Sequence, residues 1–167
     1  MAINFTDFVN DSVRILILLK TAEAQKSLSM TDRKIMLFDY YLKFPNTMLS
    51  DLNQPLHELQ TLDEYYAFFH WQPDIIRYRQ CLNYLMAKGF IEKCLGKKYP
   101  IYKITDCGQE AVGKIRSAYK TRLESIISDL LPSLSKLSDT RIEEQIRNKT
   151  NILLRNGSVK NEKKIKN

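Results

Sequence analysis

Glycine is scarce in this chain, five residues in 167, and none of them falls in a G-x-x-x-x-G-K-S/T or G-x-G-x-x-G pattern. That removes the backbone cradle with which nucleotide-binding loops hold phosphate. H-E-x-x-H and G-x-S-x-G are absent too, and His57 and His70 have neither ligand-like spacing nor an evident acid or nucleophile beside them. Three cysteines, Cys81, Cys94 and Cys107, form no C-x-x-C pair. They exclude a zinc framework and, among apolar neighbours, read as structural thiols of a protein kept in the reducing cytoplasm. The longest apolar run, Ile15 to Leu19, is far short of the roughly 20 residues a bilayer helix requires, and the polar-interrupted N-terminus does not read as a secretory leader. Asp63 and Glu64, like Glu143 and Glu144, are sequence neighbours, so on a helix they diverge and read as surface charge. These absences predict a protein that is not an enzyme, with no cofactor, no metal, no small-molecule substrate and no membrane segment.

What is present is charge of uneven sign. Residues 1–74 carry 6 Lys+Arg against 10 Asp+Glu, whereas residues 75–167 carry 20 against 9, within a net charge of +7. The basic half suits a polyanion or an acidic protein partner, set against the simpler reading of a solvated face. With 167 residues the chain is long enough to bury a core without disulfides or metal.

The first helix should start at Asn4 or Thr6, with Phe8, Val9, Val13, Leu16 and Ile17 flanked by Ile15, Leu18 and Leu19. That stripe is broad enough to be buried on most sides, which marks a central core helix. Ser27 to Met30 reads as a short strand or extended link. Thr31 then caps a second helix carrying Ile35, Met36, Phe38 and Leu42, and Pro45 stops it.

Pro73 to Gly108 is the most legible stretch. Pro73 suits the first turn of a helix, and Ile75, Tyr78, Leu82 and Leu85 recur at the spacing of one apolar stripe. Gly89 supplies the positive φ that ends it. Phe90 to Leu95 then reads as a short strand, Gly96, Lys97 and Lys98 as a turn, and Tyr99 to Ile104 as the return strand, with Thr105 capping the next helix. Helix, hairpin, helix after two leading helices is the pattern of a winged helix. The predicted fold class is therefore mostly α (α+β): a winged-helix domain over residues 1–108 with a two-stranded wing hairpin, followed by amphipathic helices.

One spacing departs from a DNA-reading domain. Residues 45–72 separate the second helix from the third, where a helix-turn-helix has a turn of about 3 or 4 residues. Within this insertion Thr61 and Glu64 have capping-box spacing, and Tyr65, Tyr66, Phe68, Phe69 and Trp71 crowd the following turns. They either roof the core or form an aromatic anchor for a partner protein. Downstream, Val112, Ile115, Tyr119, Leu123, Ile126, Leu130 and Leu134 predict one long amphipathic helix that Pro132 ends or kinks; another begins near Ser138 with Ile142, Ile146 and Leu153 inward. Together they make a helical extension over 109–155, either packed as a hairpin or completing a bundle with another chain. Residues 156–167, polar and lysine-rich, read as a basic flexible tail.

Candidate contacts follow. Arg77, Lys88, Lys97, Lys98 and Lys103 are the candidates for nucleic acid; Tyr65, Phe68, Phe69, Trp71, Tyr119, Ile126, Ile142 and Ile146 are those for a protein interface.

The order and spacing of SVRILILL (Ser12 to Leu19), DRKIMLFDYYL (Asp32 to Leu42), a link through Pro55 to His57, and RQCLNYLMAKGFIEK leading to YKITDCG resemble the small middle components of bacterial ABC-three-component systems, which include the Lamassu-type anti-phage operons. The resemblance covers most of residues 5–110. It implies a non-catalytic adaptor between an SMC- or Rad50-like ATPase and an effector, often a nuclease. The competing reading is a winged-helix transcription regulator, in which Arg77, Gln80, Asn83, Tyr84 and Lys88 line the third helix and Lys97, Lys98 and Lys103 clasp phosphate.

Overall fold

A computed structural model describes residues 5–25, 28–49 and 74–164, by backbone alone at 5–6 and 152–164. Tyr65, Phe68, Phe69 and Trp71, most of the 45–72 insertion and both histidines lie outside the described residues. Seven helices and one antiparallel hairpin are described, in the order α1 (Phe5–Ala22), α2 (Asp32–Lys43), α3 (Pro45–Leu49), α4 (Ile75–Ala87), β1 (Ile91–Cys94), β2 (Ile101–Ile104), α5 (Asp106–Lys114), α6 (Ala118–Leu134) and α7 (Asp139–Lys164). The class is thus mostly helical with a two-stranded sheet.

The apolar run of α1 has the central place its width predicts. Ile15 to Leu19 are all buried, and α2, α4, α5, α6 and β2 pack around this helix. The Thr31 hydroxyl caps α2 by accepting from Lys34 N at 3.2 Å. Pro45 ends α2 as expected but then opens the short α3, where its missing N–H leaves no bond unmade. Between α1 and α2, Leu28–Met30 forms no strand; Met30 O nevertheless accepts from Tyr102 N at 2.8 Å, tying β2 to this link.

The start of α4 falls later than Pro73. Asp74 is its cap, accepting from Arg77 N at 3.1 Å, because a carboxylate one residue before the apolar stripe satisfies a free N–H that proline cannot. Gly89 ends α4 at φ +70°, with Gly89 N donating to Met86 O and Phe90 N to Leu85 O, the paired bonds of a Schellman stop. The hairpin pairs Ile91 with Ile104, Glu92 with Lys103, Lys93 with Tyr102, and Cys94 with Ile101. Ile91 and Ile104 bury the base of one face. Thr105 closes the unit: its hydroxyl donates to Gly89 O at 2.6 Å and accepts from Gly108 N at 3.1 Å. A Cβ on Gly108 would lie 2.1 Å from Phe90 O, so only glycine lets α5 approach the backbone that enters β1.

The long helix expected after Thr105 is two helices. Ile115 leaves the helical region (φ −71°, ψ 119°), and Ser117 caps α6 by accepting from Lys120 N at 3.1 Å. The stripe continues across this break, which is why periodicity alone missed it. Pro132 stands in the last turn of α6, and the helix ends at Leu134. α6 covers α1, while α7 lies against α2 and α3. Leu123, Ile127, Leu130, Leu134, Ile142 and Ile146 therefore belong to the same core as Ile15 and Leu82. The helices from residue 109 on share this core instead of standing apart as an extension. α7 runs on to Lys164, taking in most of the basic segment that begins at Asn156.

Candidate macromolecule-binding surface

α4 carries charged residues on two sides, one turned to the core and one to solvent. Arg77 points inward. Its Nε donates to Asp11 Oδ2 at 2.5 Å, and the other oxygen of Asp11 accepts from Arg14 Nη2 at 2.6 Å. Arg14 also grips Asp39 with two parallel bonds, Nε to Oδ1 at 2.5 Å and Nη2 to Oδ2 at 2.8 Å, and the Tyr78 hydroxyl donates to Asp39 Oδ2 at 2.5 Å. Two arginines and two aspartates from α1, α2 and α4 thus cancel in charge, with Asp11, Arg14 and Asp39 buried and Arg77 half-buried at the edge. Burial opposes the charge on Arg14, but the charge and hydrogen bonds of Asp39, with Tyr78 and Asp11, outweigh it and raise its pKa well above the usual range. Burial first, and then Asp39, push the Tyr78 phenol well above its usual value.

Arg77, its side chain 27% exposed, is thus engaged as a tie between α4 and α1. Sequence reasoning missed this tetrad. Its signal was a charged residue at an inward position of each helix, Arg14 inside VRILILL and Asp39 inside LFDYYL.

The outward side of α4 presents Ile75, Ile76, Arg79, Gln80, Asn83, Tyr84 and Lys88. Lys88 Nζ sits 5.7 Å from the Tyr84 ring centroid, and that ring also meets Phe8 edge-on at 5.4 Å. Beyond Gly89 the hairpin projects outward. Lys97, Lys98 and Tyr99 are exposed at its tip, and Leu95 is 98% exposed. Lys98 Nζ lies 5.3 Å from the Tyr99 ring and Lys93 Nζ 6.0 Å from the Tyr102 ring. Burial, then the charge of Asp32, raise the Tyr102 phenol, and the cation of Arg79 opposes them; α4 itself packs against β1. Lys103 is exposed but stands directly across from Glu92, which offsets its charge.

The protein-interface candidates divide differently. Tyr119 is exposed, and Ile126 is half-buried against the core. Ile142 and Ile146 are buried at 0% and 1% exposure, because α7 turns that stripe onto α2 and α3; no partner reaches them in this fold.

Cys81 is buried, and burial raises its thiol pKa; Cys94 is half-buried and Cys107 exposed. Among the described residues no group of three or more His, Cys, Asp or Glu side chains is placed to hold a metal ion, and no helix is long and apolar enough to cross a membrane. Every buried side-chain nitrogen and oxygen among them has a hydrogen-bond partner.

No curated protein and no solved structure matches the chain. Residues 4–156 match a family described as ABC-three component (ABC-3C) system Middle Component 2, a description that implies partner subunits. That span takes in α1 through most of α7, the hairpin and the tetrad, so the chain belongs to the Middle Component 2 family of ABC-three-component systems.

Proposed function

We propose that the protein is a non-catalytic adaptor, built on a winged helix, that bridges an SMC- or Rad50-like ATPase and an effector nuclease in a Lamassu-type anti-phage system in the cytoplasm. The family match over residues 4–156 is the observation that carries this reading. The winged-helix assignment is supported by α1, α2 and α4 before a hairpin, with the short α3 between α2 and α4, by the hairpin register, and by the bond from Tyr102 N to Met30 O, which sets the link before α2 beside the wing. An assembly role is supported by exposed apolar side chains, with Ile76 at 70% exposure and Ile75 and Tyr119 near half. Purification with its operon neighbours tests the reading: the expected result is one complex containing ATPase and effector. Elution as a separate monomer, with neither attached, overturns it.

The second reading, a winged-helix transcription regulator, is favoured by the exposed Lys88, Lys97 and Lys98. The pairing of Arg77 with Asp11 and the Glu92 opposite Lys103 weaken it. A gel shift separates the two: tight binding to one duplex sequence supports the regulator, and weak, steeply salt-dependent binding supports the adaptor.

A further inference from the structure

The hairpin tip combines features that neither a groove-reading wing nor a protein contact calls for. From Lys93 to Lys103 the chain reads KCLGKKYPIYK, four lysines without one acidic residue. Its most prominent apolar side chain, Leu95, is almost wholly in water, and Tyr99 beside it is 58% exposed. The tip is also shaped: a Cβ on Gly96 would lie 2.2 Å from Tyr99 O, so the turn between the exposed Leu95 and Tyr99 closes more tightly than any other residue allows. Lys98 lies over the Tyr99 ring, Lys93 over Tyr102 and Lys88 over Tyr84, which sets three aromatic rings each beside a cation along the hairpin and the end of α4.

Lysine is depleted from protein–protein interfaces because its ammonium is costly to desolvate, so a tip this rich in lysine suits phosphate better than a protein surface. A duplex offers the tip phosphates, sugars and base edges, while the faces of its bases are hidden in the stack. Leu95 and Tyr99 would find nothing to cover there. Unpaired bases expose their faces, and aromatic rings interleaved with cations along a backbone track are what single-strand binding requires. A lysine held against one side of the Tyr99 ring orients it and leaves the remaining surface open for a base.

We propose that the hairpin tip and the adjoining end of α4 bind single-stranded nucleic acid, with Tyr99 stacking on unpaired bases, Leu95 packing against them, and Lys88, Lys93, Lys97 and Lys98 contacting phosphates. This goes beyond the adaptor reading and can stand or fall without it.

Fluorescence anisotropy of the full chain with a labelled 20-nucleotide oligo-dT, and with a blunt duplex of the same length, tests it. The single strand is expected to bind about 10-fold tighter than the duplex, and its affinity to fall with salt at a log–log slope of about −3, near 0.7 for each of the four lysines. Tyr99→Ala and Leu95→Ser should each weaken the single strand by about 5-fold or more, with unfolding temperatures unchanged. No detectable binding to oligo-dT, duplex binding as tight as single-strand binding, or affinity indifferent to both substitutions overturns the proposal. So does a Tyr99→Ala chain that loses its protein partners while binding oligo-dT normally, since the tip is then a protein contact. Co-purification, not anisotropy, tests the adaptor reading, so the two failures are distinguishable.

Discussion

Arg14→Met is the substitution that tests the buried tetrad most directly. It keeps the length of the side-chain stem and deletes the guanidinium, and with it three hydrogen bonds, two to Asp39 and one to Asp11. Asp11 keeps Arg77. Asp39, fully buried, is left with the Tyr78 hydroxyl and no opposing charge at hydrogen-bond distance. Removing one partner of a buried ion pair costs about 3–5 kcal/mol. For a chain of this size that lowers the midpoint of thermal unfolding by about 6–20 °C, at roughly 2–4 °C per kcal/mol. The double variant Arg14→Met with Asp39→Leu removes the stranded charge together with its partner, and an apolar pair can match a buried ion pair in stability. It should recover most of the loss. Circular dichroism melts and urea titrations of wild type, both single variants and the double variant give the coupling. A loss below about 1 kcal/mol for Arg14→Met, or a double variant no more stable than the worse single one, would refute the reasoning.

Other substitutions probe the remaining parts. Gly108→Ala should cost about 1–3 kcal/mol, since its Cβ meets Phe90 O, while Gly113→Ala, with open space around that position in α5, should stabilise by about 0.5–1 kcal/mol; urea midpoints of the two should move in opposite directions. Ile146→Ala should cost about 2–5 kcal/mol because α7 buries that side chain, whereas Tyr119→Ser should change stability by less than about 0.5 kcal/mol, and equal effects would mean α7 is not seated on α2. Alkaline pH should destabilise the fold: burial pushes Tyr41 up to about 12, and burial with the charge of Asp39 also raises Tyr78, so above about pH 10 the folded chain holds protons that the unfolded chain has released. Stability then falls as pH rises through that window, and Tyr41→Phe should shallow the fall; a flat urea midpoint between pH 9 and 11 contradicts it.

Local signals made the segment from α4 to α5 readable. Gly89 and the Thr105 to Gly108 cap each act within a few residues, and the hairpin between them is set by its own turn. The width of the α1 stripe likewise marked it as the central helix. Less was legible where the deciding partner is distant in sequence. Arg77 looked like a ligand for phosphate because its mate, Asp11, is 66 residues away. Ile142 and Ile146 had the periodicity of a docking face, but which surface they dock on depends on α2 and α3. The break at Ile115 was hidden for the opposite reason: the apolar stripe runs through it, and only the Ser117 cap reveals two helices.

The central position of α1 has a consequence for how the chain is made. α1 is synthesised well before α6, which covers it and is not complete until Leu134. At the usual rate of translation, about 5–20 residues per second, the interval between them is roughly 6–22 seconds. Throughout it the run from Ile15 to Leu19 lacks its final cover, so an apolar helix of the nascent chain stays partly uncovered long before the native core can close.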